Sequence, residues 1–222
     1  MTRSNFLPPR EHVAAFDVDA QYAFTPECPT ELPVPDALAI VPELNIQAAC
    51  ASRRLGSKDA HPPHAVWTAD PRHPPLSPVA GKNVDVRWPA HAVPGTRGFE
   101  LISGLPPVTS YDFFVWKGIE PDMHPYGACW HDLARTLSTG VIEYLHSRDI
   151  ETVIVGGLAT DYCVKHTVIE LREAGFDVVV NRAAIRGVAP QTTREALQAM
   201  AQAGARFIDR ASALQHPRGE NA

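Results

Sequence analysis

The run Val153-Ile154-Val155-Gly156-Gly157-Leu158-Ala159-Thr160-Asp161-Tyr162-Cys163-Val164 decides how this chain is read. Its first three residues are β-branched and apolar, as in a strand buried on both faces. Gly156-Gly157 breaks the strand, and a helical pattern begins near Asp161. Cys163 then falls in the first turn of a helix. Such a turn presents unpaired backbone N–H groups and a partial positive charge, which favour a thiolate. The same N–H groups can hold an oxyanion. Alone, a cysteine there reads as a small buried apolar residue. Its neighbours in the fold decide otherwise.

Outward from this run, strand and helix alternate at short spacing. Strands are predicted over 151–155, 177–180 and 205–208, with helices over 161–174 and 191–203. Upstream, 12–18 is an apolar run ending in acids and reads as the first strand. A helix starts at Asp36, with Leu38, Val41, Leu44, Ile46 and Ala49 in helical spacing, and ends before Gly56. Residues 57–60 follow it as a second strand, 112–117 is a clear strand, and 140–147 is helical. This order predicts an α/β fold: three layers, α/β/α, around a mostly parallel central sheet. At 222 residues the chain suits a single domain spanning 1–222. A long proline-rich loop around 62–107 interrupts it, and a stretch of that kind is usually functional or disordered.

Composition narrows the function classes. Apolar residues are 45%, charged residues 20%, and the net charge is −5, which gives no reason to expect nucleic acid or an acidic membrane surface. No apolar stretch approaches membrane-spanning length, and residues 1–9 lack the apolar core of a leader. The four cysteines are widely spaced with no C-x-x-C pair, which fits a reducing cytoplasm better than a disulfide framework.

In parallel sheets of this kind the active site lies at the C-terminal ends of the strands. Four predicted strand ends carry chemistry: Asp19, Asp59, Lys117 and Cys163. A buried Asp19 can take the thiol proton of Cys163, and Lys117 can steady the thiolate or the developing oxyanion. Asp17 competes with Asp19, because residues two apart point to the same side of a strand. Asp59-Ala60-His61 places a carboxylate and an imidazole together, and His64, His73 and His91 follow. Hard oxygen with imidazole suits Zn, Fe or Mn. Surface histidines on a loop are the plain alternative.

These residues resemble the motifs of the nicotinamidase branch of the isochorismatase-like cysteine hydrolases, from about Ala14 to Gly187. Val18-Asp19-Ala20-Gln21-Tyr22-Ala23-Phe24 is similar to V-D-x-Q-x-x-F, and Asp59-Ala60-His61-Pro62 to D-x-H-P. Trp88-Pro89-Ala90-His91, with Gly95-Thr96, resembles W-P-x-H-x-x-x-G-T. Lys117-Gly118 with Tyr126 and Asp132 resembles the lysine segment, and Gly157 to Val164 the nucleophile motif. The resemblance implies an isochorismatase-like hydrolase fold and hydrolysis of nicotinamide to nicotinate and ammonia through a thioester, as a step of NAD salvage. It implies Asp19, Lys117 and Cys163 as catalytic residues, and the N–H groups of Ala159 and Cys163 as an oxyanion hole. A non-proline cis peptide is expected at Leu158–Ala159 or Ala159–Thr160. Phe24, Trp88 and Tyr126 would bind the substrate ring.

Asp59, His61 and His91 would hold one divalent metal ion, with Zn the first expectation and Mn, Fe or Co the others. Some members add a fourth protein ligand after D-x-H, and His64 and His73 are the residues near that place. A homo-oligomer in the cytoplasm is expected, with nicotinamide as the small-molecule partner and no nucleic acid or membrane. Related amide hydrolases acting on pyrazinamide, N-carbamoyl or maleamate-type substrates are the alternatives within the fold. A binding protein without catalysis is the alternative outside it. Cys129 lies near Tyr126, and nothing in its context favours a thiolate.

Overall fold

Strands with no polar alternation imply a sheet covered on both faces. The strand Val13–Val18 (β1) and the strand Thr152–Leu158 (β4) are buried at every position. The computed structural model describes residues 6–216, so most of the leader reading for 1–9 lies outside the described residues. The remaining strands are Arg53–Asp59 (β2), Phe113–Lys117 (β3), Asp177–Arg186 (β5) and Arg206–Ile208 (β6). They form one six-stranded sheet in the order β3-β2-β1-β4-β5-β6, and every pairing is parallel. Among the described residues four α-helices cover it: Val41–Ala49 (α1), Val141–Ser147 (α2), Lys165–Glu173 (α3) and Pro190–Gln202 (α4). Val141, Leu145, Val168, Leu171 and Met200 of α2, α3 and α4 pack with Phe16, Val153, Val155, Val178 and Val180 on one face. Val41 and Leu44 of α1 pack on the other face, against Leu158 and Ala184. The three predicted layers are present, and the sheet is parallel throughout.

Several boundaries differ from the sequence reading. Gly156-Gly157 does not break the strand: β4 runs through both glycines to Leu158, because they pair with Asp17 and Val18 of β1. The helix predicted from Asp36 opens as a 3-10 turn, Ala37–Ile40, and becomes α-helical at Val41. β2 begins at Arg53 rather than residue 57, because Arg54 is satisfied by Asp17 of the neighbouring strand, at 2.6 Å. β5 runs on from Val180 to Arg186, past the polar Asn181 and Arg182, with a register shift against β4 between Val155 and Gly157. The helix predicted from Asp161 starts as a wide π-type turn, Thr160–Val164, and becomes α-helical at Lys165. The proline-rich segment around 62–107 has no strand or helix of its own, yet it is pinned by isolated bridges such as Thr68–Trp88 and Pro78–Val86. Its Trp67 is fully buried. All four cysteines are free, and among the described residues no helix is long and apolar enough to cross a membrane.

One buried acid makes stability depend on pH. Glu170 of α3 is 6% exposed and accepts a hydrogen bond from the Cys129 N–H at 3.1 Å. Burial raises its pKa from 4.5 to about 7. The folded chain therefore keeps a proton that the unfolded chain releases, and stability falls as pH rises from about 4.5 to 7. Glu170→Gln keeps a carbonyl acceptor for Cys129 and removes the charge. It is expected to stabilise the protein at pH 8 by about 2–3 kcal/mol and by little at pH 4.5. Urea denaturation at the two pH values reads the difference, and equal effects would remove Glu170 as the cause.

Candidate active site

The strand order reverses between β1 and β4, and the crevice at their C-terminal ends is where such sheets bind ligands. Register brings Val18 beside Gly157 and Asp59 beside Lys117. Gly157 has φ 133°, and a Cβ there would collide with the Val18 backbone. The chain after β4 can thus lie directly against the end of β1. The peptide Leu158–Ala159 is cis, the first of the two expected places. Asp19 lies just past the end of β1 with φ 43°, which turns it out of the strand's alternation.

That turn separates the two aspartates. Asp17 stays in the strand and receives hydrogen bonds from Arg54 and from the Tyr111 hydroxyl, at 2.6 and 3.0 Å. The shared direction expected from their spacing is not observed. Asp19 instead meets Ser57, whose hydroxyl donates to its carboxylate at 2.6 Å. Lys117 Nζ lies 3.0 Å from the Asp19 carboxylate and 3.7 Å from Cys163 Sγ, and it also pairs with Asp59. Asp19 and Lys117 are fully buried, and Asp59 and Cys163 nearly so. The structure therefore brings all four predicted strand-end residues together. Gln21 of the first motif grips the Asp59 backbone from both sides, donating to its carbonyl at 2.9 Å and accepting from its N–H at 2.8 Å.

Burial sets the protons here. It raises the Asp19 carboxyl, against the pull of Lys117. Burial also acts upward on Asp59, but Lys117 and His61 outweigh it and hold Asp59 well below the usual carboxylate range. Burial disfavours the Lys117 ammonium, yet Asp19 and Asp59 outweigh it and keep the lysine charged. Burial, with the two carboxylates, drives the Cys163 thiol well above its ordinary value despite Lys117. The turn at Cys163 precedes the α-helix, and the carboxyl groups of Asp19 and Asp59 face the sulfur. The same surroundings that raise the thiol place a carboxylate within reach of its proton.

His61, His91 and His124 each offer a ring nitrogen, all within 4.8 Å of one another. Nδ1–H of His61 donates to the Gly118 carbonyl at 3.1 Å, and Nδ1–H of His91 to the Pro89 carbonyl at 2.7 Å. Both rings are thereby set with Nε2 facing Asp59, at 3.4 and 3.9 Å. This orientation is common for metal-ligating histidines. His61 Nε2 is buried with no hydrogen-bond partner. Burial and the neighbouring His61 push His91 down to about 3, so its lone pair is free near neutral pH. The donor set fits a divalent ion. His64 and His73 are not part of it: both are exposed, and His73 pairs with Asp70 at 3.1 Å.

Phe24, Trp88, Tyr126, Ala159 and Cys163 line one pocket, with Asp59 and His91 at its wall. Trp88 Nε1–H donates to the Tyr126 hydroxyl at 3.2 Å, and that hydroxyl donates to Asp85 at 2.8 Å. The sequence reading missed three residues here. Ser57 is a plain strand serine until Asp19 folds over it. Tyr162 lines the pocket and could have been suspected from its place beside Cys163. His124 carried no motif signal at all.

The isochorismatase domain model matches residues 18–212. The chain belongs to the isochorismatase family. As an isochorismatase-domain enzyme it is a hydrolase, and its relatives narrow the branch. It is 32% identical over 206 residues to the nicotinamidase of Escherichia coli K12, covering 90% of this chain and 94% of the relative. Its fold matches an Acinetobacter baumanii nicotinamidase pyrazinamidase with a TM-score of 0.82 at 30% identity, over 92% of this chain and 98% of the other. A pyrazinamidase of Pyrococcus horikoshii, solved in complex with zinc, matches with a TM-score of 0.70 at 25% identity, over 89% of this chain and 98% of the other.

Proposed function

We propose that this chain, a single isochorismatase-like hydrolase domain, hydrolyses nicotinamide to nicotinate and ammonia. The observation that carries the reading is the contact of Lys117 with Asp19, Asp59 and Cys163 at the floor of an aromatic pocket. The full-length likeness to nicotinamidases supports it. Pyrazinamide is a second substrate under the same chemistry, because the matching structure is also a pyrazinamidase.

In the reaction, the ring enters between Phe24 and Trp88 with its carboxamide toward Cys163. Asp19 takes the thiol proton as sulfur attacks the amide carbon. The new thiolate character is met by Lys117 Nζ, 3.7 Å away in the resting site. The N–H groups of Ala159 and Cys163 receive the oxyanion of the tetrahedral adduct. Asp19 returns the proton to the departing amine, ammonia leaves, and a thioester to Cys163 remains. Asp19 then deprotonates water, which attacks the thioester and frees nicotinate and the thiol.

Asp59, His61 and His91 would hold a divalent ion, Zn first, as in the Pyrococcus structure, with Mn, Fe or Co as the other fits. When bound, the ion supplies a Lewis-acid or water-mediated contact for the pyridine nitrogen. A cytoplasmic homo-oligomer serving NAD salvage completes the reading.

Ammonia release from nicotinamide is the direct test, and no release from a folded, metal-loaded preparation would end the proposal. Dialysis against a chelator is expected to remove metal and activity together, and divalent Zn, Mn, Fe or Co to restore activity to different extents. Full activity in a preparation free of metal by elemental analysis would make the histidines structural. Trp88→Ala is expected to raise KM roughly threefold to tenfold and change kcat less, because ring contact holds ground and transition states alike. An unchanged KM would return Trp88 to a packing role.

A further inference from the structure

His124 lies on the segment between β3 and α2 and is 4% exposed. Neither of its ring nitrogens has a hydrogen-bond partner. An unpaired buried polar group costs about 1–3 kcal/mol, so an imidazole with two of them calls for an explanation. Its ring stacks on His61, with centroids 5.0 Å apart and planes 18° apart. One of its nitrogens lies within 4.8 Å of donor nitrogens of both His61 and His91. Trp67 and Tyr126 pack edge-on against the ring, at 4.4 and 5.0 Å, and hold it where it is.

We infer that His124 is a fourth protein ligand of the ion held by Asp59, His61 and His91. The inference rests on the proposal that this cluster binds a metal. The three ring nitrogens lie within 4.8 Å of one another, and zinc–nitrogen bonds of about 2.0–2.1 Å would draw them closer around one ion. His124 would add a third imidazole to the two imidazoles and one carboxylate that would hold the ion. The fourth ligand comes from the segment between Lys117 and Tyr126, not from the loop after Asp59. One short segment therefore carries the lysine, a metal ligand and a pocket wall. The second nitrogen of His124 has no protein acceptor, and the ring also stacks over Trp88 at 6.1 Å. A purely aromatic role in the pocket is thus the competing account.

His124→Phe separates the two, because it keeps a flat ring and removes the nitrogens. Wild type and variant, stripped by chelator, are titrated with zinc against a chromogenic competitor, without substrate. Loss of partners that merely support a ligand costs about 10–100-fold in affinity, so loss of a ligand is expected to cost about 100-fold or more. The cobalt(II)-loaded proteins are expected to differ in their visible absorption. X-ray absorption of zinc-loaded wild type is expected to require three imidazoles, and it decides the matter if His124→Phe does not fold. Equal zinc affinity with an unchanged cobalt spectrum, or a wild-type zinc site fitted by two imidazoles, overturns the inference. A wild type that takes up no ion overturns it together with the metal reading, whereas ammonia release tests the amidase reading separately.

Discussion

Cys163→Ala is expected to lower nicotinamide hydrolysis by about 10⁴-fold or more while the fold persists. The mechanism has no route around the thioester. Without sulfur, water would have to attack an unactivated amide, and Asp19 and Lys117 can assist that step only as base and counter-ion. Cys163 packs among Val155, Val164 and Ile185, so alanine leaves a small cavity and a modest loss of stability. Circular dichroism and the urea midpoint check the fold. On sequence grounds Cys163 is the thiol that should alkylate first. Its burial and its high pKa reverse that order: Cys163 is 6% exposed, whereas Cys50 is partly exposed, so Cys50 is expected to meet iodoacetamide sooner. The better probe is acid quenching during turnover, followed by mass spectrometry. An added nicotinoyl group on the peptide bearing Cys163 is the expected result. Substantial turnover by the alanine variant would sink covalent catalysis.

Much of this arrangement was legible because parallel sheets put chemistry at strand ends. Asp19, Asp59, Lys117 and Cys163 follow from predicted strand ends, without any family motif. What escaped the sequence depends on contacts between distant segments. Arg53 and Arg54 look unlike the start of a buried strand until Asp17, on the adjacent strand, supplies a partner. Asp17 and Asp19 share a face only if the strand continues, and the φ of 43° at Asp19 ends it. The opposing pulls on the Cys163 proton were not legible, because helix-end charge is a local property, whereas the carboxylates facing the sulfur arrive from β1 and β2. His124 escaped because its spacing from Asp59 and His91 has no regular period. Its partners are assembled by a loop crossing the sheet end.

Asp19→Asn and Asp17→Asn should part company. Asparagine at 19 can still accept from Ser57, so local geometry survives, but the group can no longer take a proton. Loss of a general base typically costs about 10²–10⁴-fold, and kcat should carry most of it. In the wild type, burial raises the Asp19 pKa, so the acidic limb of activity should lie above the ordinary aspartate value of 3.8. Below that limb Asp19 is protonated and cannot act as base, so activity is lost as pH falls through it. Asp17→Asn leaves Arg54 facing a neutral amide, with the Arg54 side chain only 16% exposed. That is expected to cost about 1–3 kcal/mol of stability, read by urea denaturation. Activity per folded molecule should stay within a few-fold, because Asp17 bonds Arg54 and Tyr111 rather than the lysine or the sulfur. The reverse pattern, an inactive but stable Asp17 variant beside an active Asp19 variant, would mean that the proton acceptor is Asp17 and that the path from Cys163 runs through the strand instead of around its end.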